Sequence, residues 1–121
     1  MSYTLKANDK LEYAHLIYSD AVELSERQQA KDEVFAMCFE KNFHRALVDV
    51  SGSDIQMNES DVIKFASSFN DMKLPKDYRL AGIIGVENKS DSLIEIMISL
   101  EGINVKYFYD FKEAESWLTA I

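Results

Sequence analysis

Two short, nearly unbroken apolar runs, Ala46-Leu-Val-Asp-Val50 and Leu80-Ala-Gly-Ile-Ile-Gly-Val86, restrict what this chain can fold into more than any other feature. Runs of strand length without polar alternation belong to strands covered on both faces. Each follows a stretch with helical spacing. Ahead of the first, Ser25-Glu-Arg-Gln28 has capping-box spacing, and Ala30, Val34, Met37 and Cys38 form a stripe broadened by Phe35 and Phe39, which predicts a helix over about 26–41. Ahead of the second, Asn58-Glu-Ser-Asp61 offers a cap for Val62, Phe65, Ala66 and Phe69 at i, i+3, i+4 and i+7, and Pro75 ends the connection. Buried strands alternating with helices imply mostly parallel pairing, with helices on both faces of the sheet.

The ends of the chain extend this pattern. Tyr3, Leu5 and Ala7 alternate with polar residues, Asn8-Asp9-Lys10 suits a tight turn, and Leu11–Ser19 alternates again, predicting an antiparallel hairpin of two half-buried strands. Asp91 caps a predicted helix over 92–101 whose stripe is Leu93, Ile96, Met97 and Leu100, stopped by Gly102. A strand through Val105, Tyr107 and Tyr109 follows. Asp110 and Glu113 then cap a last helix carrying Ala114, Trp117, Leu118 and Ile121. The predicted order is ββαβαβαβα. Four glycines and one proline leave no linker, so residues 1–121 read as one α/β domain long enough to bury about two thirds of its unfolded surface. Gly82 and Gly85 mark close approach of a neighbouring element. Phe35, Phe39, Phe65, Phe69 and Trp117 read as fillers of the core.

Charge narrows the partners. Thirteen basic against 21 acidic residues give a net charge of −8, which repels nucleic acid and anionic membrane surfaces and favours a neutral or basic partner surface. No apolar stretch reaches the ~18 residues of a bilayer span, so no membrane insertion is expected. The single cysteine, Cys38, allows no internal disulfide and fits a reducing compartment; the protein reads as cytoplasmic.

Several phrases resemble the SpoIIAA-like, STAS/CRAL-TRIO-related family of small bacterial proteins: Ala46-Leu-Val-Asp-Val-Ser-Gly52, Leu80–Val86, and above all the ending from Glu101-Gly-Ile-Asn-Val to Glu113-Ala-Glu-Ser-Trp-Leu118. The resemblance implies a STAS-like sandwich with a mixed, mostly parallel sheet. It also places Ser60 at the phosphoacceptor of the anti-anti-sigma relatives, with Asp61 standing where they carry glycine. A phosphate there would meet the favourable end of a helix dipole but be flanked by Glu59 and Asp61. The plain reading of Ser60 is an exposed first-turn serine.

Other residues are weighed by their chemistry. Asp49 interrupts an apolar strand near the C-terminal edge of the sheet, where open α/β sheets place ligands; with Asp54 and Asp110 it forms a candidate ligand edge, while a bond to the following loop is the structural alternative. His15 and His44 lack the paired spacing of zinc sites, so no metal centre or cofactor is expected. Cys38 lies on an apolar helix face and reads as core. No G-x-S-x-G, P-loop or G-x-G-x-x-G is present, and the protein is not expected to be an enzyme. Ile94 and Ile98 stand off the predicted stripe of their helix and form a candidate association face, covered by a second copy in a homodimer, by a partner protein, or as the mouth of an apolar cavity. The chain therefore reads as a non-catalytic regulatory or protein-binding module that self-associates. The alternative is a binder of a small apolar or lipid-like ligand in the CRAL-TRIO manner.

Overall fold

Covering the two apolar strands, at Arg45–Asp49 and Arg79–Ile83, on both faces requires helices on both sides of the sheet, and a computed structural model, describing residues 3–70, 72–85, 89–100 and 102–120, has that arrangement. β1 (Tyr3–Asn8) and β2 (Tyr13–Tyr18) pair antiparallel across a turn in which Asn8 Oδ1 accepts from the Leu11 amide at 3.0 Å and Glu12 takes a left-handed φ of 59°. β2 then pairs parallel with β4 (Arg45–Asp49), β4 with β6 (Arg79–Ile83), and β6 with β7 (Asn104–Phe108), giving the order β1-β2-β4-β6-β7. Two strands of three residues, β3 (Asp20–Val22) and β5 (Ser53–Ile55), pair parallel in a small second sheet. They add to the predicted order, being too short to carry a periodic signal. β2 lies inside the sheet, with Ala14, Leu16 and Tyr18 buried on one face and His15 and Ile17 partly exposed on the other.

Alternate residues of each central strand face opposite layers. Ala14, Leu16, Tyr18, Ala46 and Leu80 meet α1 (Leu24–Lys41), α2 (Glu59–Ser67) and α3 (Lys89–Leu100), whereas Tyr13, Leu47 and Ala81 meet α4 (Phe111–Thr119) through Ala114 and Leu118. α2 starts in a reciprocal capping box between Asn58 and Asp61, and Asp110 caps α4 by accepting from the Glu113 amide at 3.1 Å, both at the sequence-predicted positions.

Three expectations fail. Ile94 and Ile98 are 0% and 1% exposed and belong to the main core, while Ile96 is 57% exposed, so they are no association face. α3 carries apolar residues at so many positions that two stripes compete, and its packing against α2 and β7 selects the one through Ile94 and Ile98. The side chains of Asp91, Leu93 and Leu100, with residues Val86, Glu101 and Ile121, lie outside the described residues. α1 begins at Leu24 without any side-chain cap, so Ser25 does not cap it. Its inner face reads Arg27, Ala30, Lys31, Val34, Cys38, which turns Phe39 outward to 91% exposure instead of into the core.

Two cations thus sit inside the α1–α2 contact. The Arg27 guanidinium lies 4.7 Å from the Phe65 ring centroid. Lys31 Nζ donates to Ser68 Oγ at 2.6 Å and approaches the Ser68 carbonyl at 3.4 Å, so its charge closes the C-terminal end of α2, and burial lowers its pKa.

Gly82 answers the close approach read from the sequence: a Cβ there would meet the Tyr107 ring at 2.6 Å. Gly82→Ala is expected to cost about 1–3 kcal/mol by urea unfolding, and less in a Tyr107→Ala background where the ring is gone. His15, half-buried and stacked on Phe111 with centroids 5.7 Å apart, has its pKa lowered by burial and then by the charge of Lys6. The unfolded chain therefore binds this proton first, and stability should fall as pH drops from about 6.5 through the folded pKa. Urea midpoints between about pH 7 and 5 should decline less steeply in His15→Phe.

Candidate functional site

Two adjoining concave surfaces lie at the N-terminal ends of β4 and β6. α1 ends at Asn42, whose left-handed φ of 58° and amide bond to the Cys38 carbonyl turn the chain sharply into β4. Opposite, the connection from α2 to β6 folds back with the Tyr78 amide on the Pro75 carbonyl at 3.0 Å, and the Arg79 amide joins the two walls by donating to the His44 carbonyl at 3.0 Å. Between them is an apolar groove of about 450 Å³, lined by Phe35, Phe39, Phe43, Met72, Leu74 and Tyr78 among others. The Phe35 ring meets Phe69 edge-on at 5.9 Å, which fixes the inner wall, while Phe39 stands free at the rim.

A polar cleft of about 430 Å³ shares Asn42 and His44 with the groove. Arg45 and Arg79 are register partners on neighbouring parallel strands, and because Ala46 and Leu80 face the three-helix layer, both arginines project on the α4 side. Arg45 Nη1 donates to the Leu11 carbonyl at 3.0 Å; Arg79 Nη1 donates to the carbonyls of Trp117 at 2.8 Å and Ala120 at 2.6 Å, holding the end of α4. His44 Nδ1 lies 2.9 Å and 3.1 Å from the two Asp77 carboxylate oxygens.

The residues singled out in the sequence lie elsewhere. Ser60 is exposed in the first turn of α2 between Glu59 and Asp61. Asp49 Oδ1 accepts from the Ser51 amide at 2.9 Å and the Ser51 hydroxyl at 2.6 Å, the local bond given above as the structural alternative. Asp54 accepts from Gln56 Nε2 at 3.4 Å, and Asp110 is spent on capping α4. Each of these carboxylates accepts a local bond, and none lines the groove or the cleft. Among the described residues no three His, Cys, Asp or Glu side chains are grouped to hold a metal ion, and no helix is long and apolar enough to cross a membrane. Between the sheet and α1–α3 is an apolar cavity of about 30 Å³, with Arg27 and Lys31 in its wall, which is room for roughly one water.

Sequence reading missed the arginine pair, although a signal was present. A basic residue directly precedes each buried run, and parallel pairing brings the two together.

No family model matches the chain, and no curated protein does. Among solved structures, an uncharacterized protein of the DUF3478 family with a SpoIIAA-like fold, from Shewanella loihica PV-4, superposes with a TM-score of 0.58 at 16% identity, covering 96% of this chain and 91% of that one. The chain has a SpoIIAA-like fold.

Cys38, at the floor of the groove, is 4% exposed, its sulfur 3.5 Å from the Tyr78 hydroxyl and 3.7 Å from the Arg45 carbonyl. Burial pushes the thiol pKa up, so it stays protonated and shielded. A disulfide reagent at neutral pH should label Cys38 on the order of a thousandfold more slowly in the native protein than in urea, since labelling must wait for opening.

Proposed function

We propose that this protein is a non-catalytic binding module of SpoIIAA-like fold that holds another protein in the groove beside Phe39. The observation that carries the reading is Phe39 itself, a phenylalanine 91% exposed at the rim of an apolar concavity. Covering one such ring is worth about 2–3 kcal/mol, and aromatic anchors of this kind supply much of the energy of protein interfaces. The charge of the walls says what kind of partner fits. The residues lining the groove and the cleft carry Arg45, Lys73 and Arg79 against Glu12 and Asp77, a local +1 on a chain of −8. The overall charge favours neutral or basic partners; at this edge the preference reverses, toward an acidic segment with an apolar anchor.

Catalysis finds little support in the same geometry. His44 and Asp77 resemble the orienting half of a catalytic triad, but the nearby thiol of Cys38 is bonded to Tyr78 and kept protonated by burial. A lipid-like ligand held between sheet and helices is not favoured either, because the cavity there would have to grow about tenfold to reach the size of ordinary ligand sites. Self-association is not carried forward, since the face proposed for it is buried.

The reading is tested by placing a photo-crosslinking phenylalanine analogue at position 39 in the protein's own cells, with the exposed Thr4 position as control. A discrete adduct with a different protein, specific to position 39 and reduced by Met72→Asp, is the expected result. No adduct, or one joining only two copies of this chain, overturns it. Phe39→Ser should leave folding stability within about 0.5 kcal/mol, as for other exposed substitutions.

A further inference from the structure

We propose that the cleft beside the groove is a carboxylate site, in which Arg45 and Arg79 receive an acidic group of the segment whose apolar residue covers Phe39. The proposal deepens the groove reading and rests on it for the source of the carboxylate. The site itself stands on separate observations.

Two guanidinium groups on register-paired residues of adjacent strands repel each other, and a chain with 21 acidic residues has ample means to neutralise them. It does not. Among the described residues neither arginine forms an ion pair; the bridges present join Lys31 to Asp32, Lys41 to Asp9 and His44 to Asp77. Both arginines instead anchor one nitrogen, Nη1, on main-chain carbonyls of Leu11, Trp117 and Ala120. A guanidinium carries five N–H donors, so each keeps further donors for a ligand while its position is already fixed. That is the pre-organised fork that binds carboxylates bidentately, and fixing it in advance lowers the entropic cost of binding.

Glu12 and Asp77 also line the cleft, so its formal charge sums to zero, and recognition there rests on the open guanidinium donors and not on net charge. Asp77 is engaged by His44 Nδ1, and Glu12 sits on the hairpin turn. His44 and Asn42 line both concavities, so an acid in the cleft and a ring in the groove can belong to one short segment. The preferred ligand class is therefore an acidic peptide with a bulky apolar residue close to its carboxylate.

Titrations followed by NMR, reading backbone amides and arginine Nε–H signals, separate the parts with three probes. N-acetylphenylalanine carries ring and carboxylate, its amide carries only the ring, and acetate only the carboxylate. The proposal expects acetate to move the Arg45 and Arg79 signals saturably up to about 50 mM and N-acetylphenylalanine to bind more tightly, moving Phe39 and Met72 as well. Arg45→Gln should weaken N-acetylphenylalanine about tenfold, and Arg45→Lys, which keeps the charge but loses the fork, nearly as much. Arg45 is the residue to change, because Arg79 also holds the end of α4. Arginine signals that do not respond, respond equally to chloride, or respond unchanged in Arg45→Gln overturn the carboxylate site. Saturable acetate binding with no response of Phe39 or Met72 to the amide upholds the carboxylate site and overturns the groove.

Discussion

The parallel register of β4 and β6 is the constraint on which the rest of the structure depends. Both strands lack polar alternation, so both faces must be shielded, and the two layers shield them unequally. α1, α2 and α3 share one face, whereas α4 alone covers Leu47 and Ala81 on the other. A single nine-residue helix is a marginal cover unless its ends are tied down. Asp110 caps its start, and Arg79, reaching from the first residue of β6, binds the carbonyls of Trp117 and Ala120 at its end. The strand that needs the helix thus also holds it in place.

The same register decides where chemistry collects. At the C-terminal ends of the strands, where α/β sheets usually bind ligands, the carboxylates satisfy neighbours in their own turns and helix starts. At the N-terminal ends, pairing aligns Arg45 with Arg79 and draws the His44 loop against the Tyr78 loop through the Arg79 amide. Groups distant in sequence meet there: His44 pairs with Asp77, while Arg45 and Arg79 bond to main-chain carbonyls and keep further donors.

Where one signal dominated a segment, the sequence was legible. The unbroken runs of β4 and β6, the Asn58–Asp61 box and the Asp110 cap each have one physical solution, and the structure adopts it. Where two signals competed, packing chose. α3 offers two apolar stripes, and the line through Ile94 and Ile98 won because it meets α2 and β7. In α1 the inner face includes Arg27 and Lys31, residues no hydropathy pattern would place inside. They are accommodated because the Phe65 ring and the end of α2 supply what water would otherwise provide. Phe39 lies about 120° round the helix from the centre of that face, outside the arc that meets the core, and is exposed. The candidate site was illegible because widening the predicted stripe to include Phe39 hid that angle.

That outward phenylalanine also changes what the net charge means. The charged residues lining the groove and the cleft sum to +1 on a chain of −8, so this edge is less acidic than the body around it. An acidic segment approaching from a distance meets repulsion from the whole body, but at physiological salt that repulsion fades within about 8 Å. At contact the nearest charges are Arg45, Arg79 and Lys73, with Glu12 and Asp77 beside them. On the proposed reading the edge takes a partner whose acid and apolar residue arrive together, and the body's own acidity rejects acidic proteins that lack the anchor.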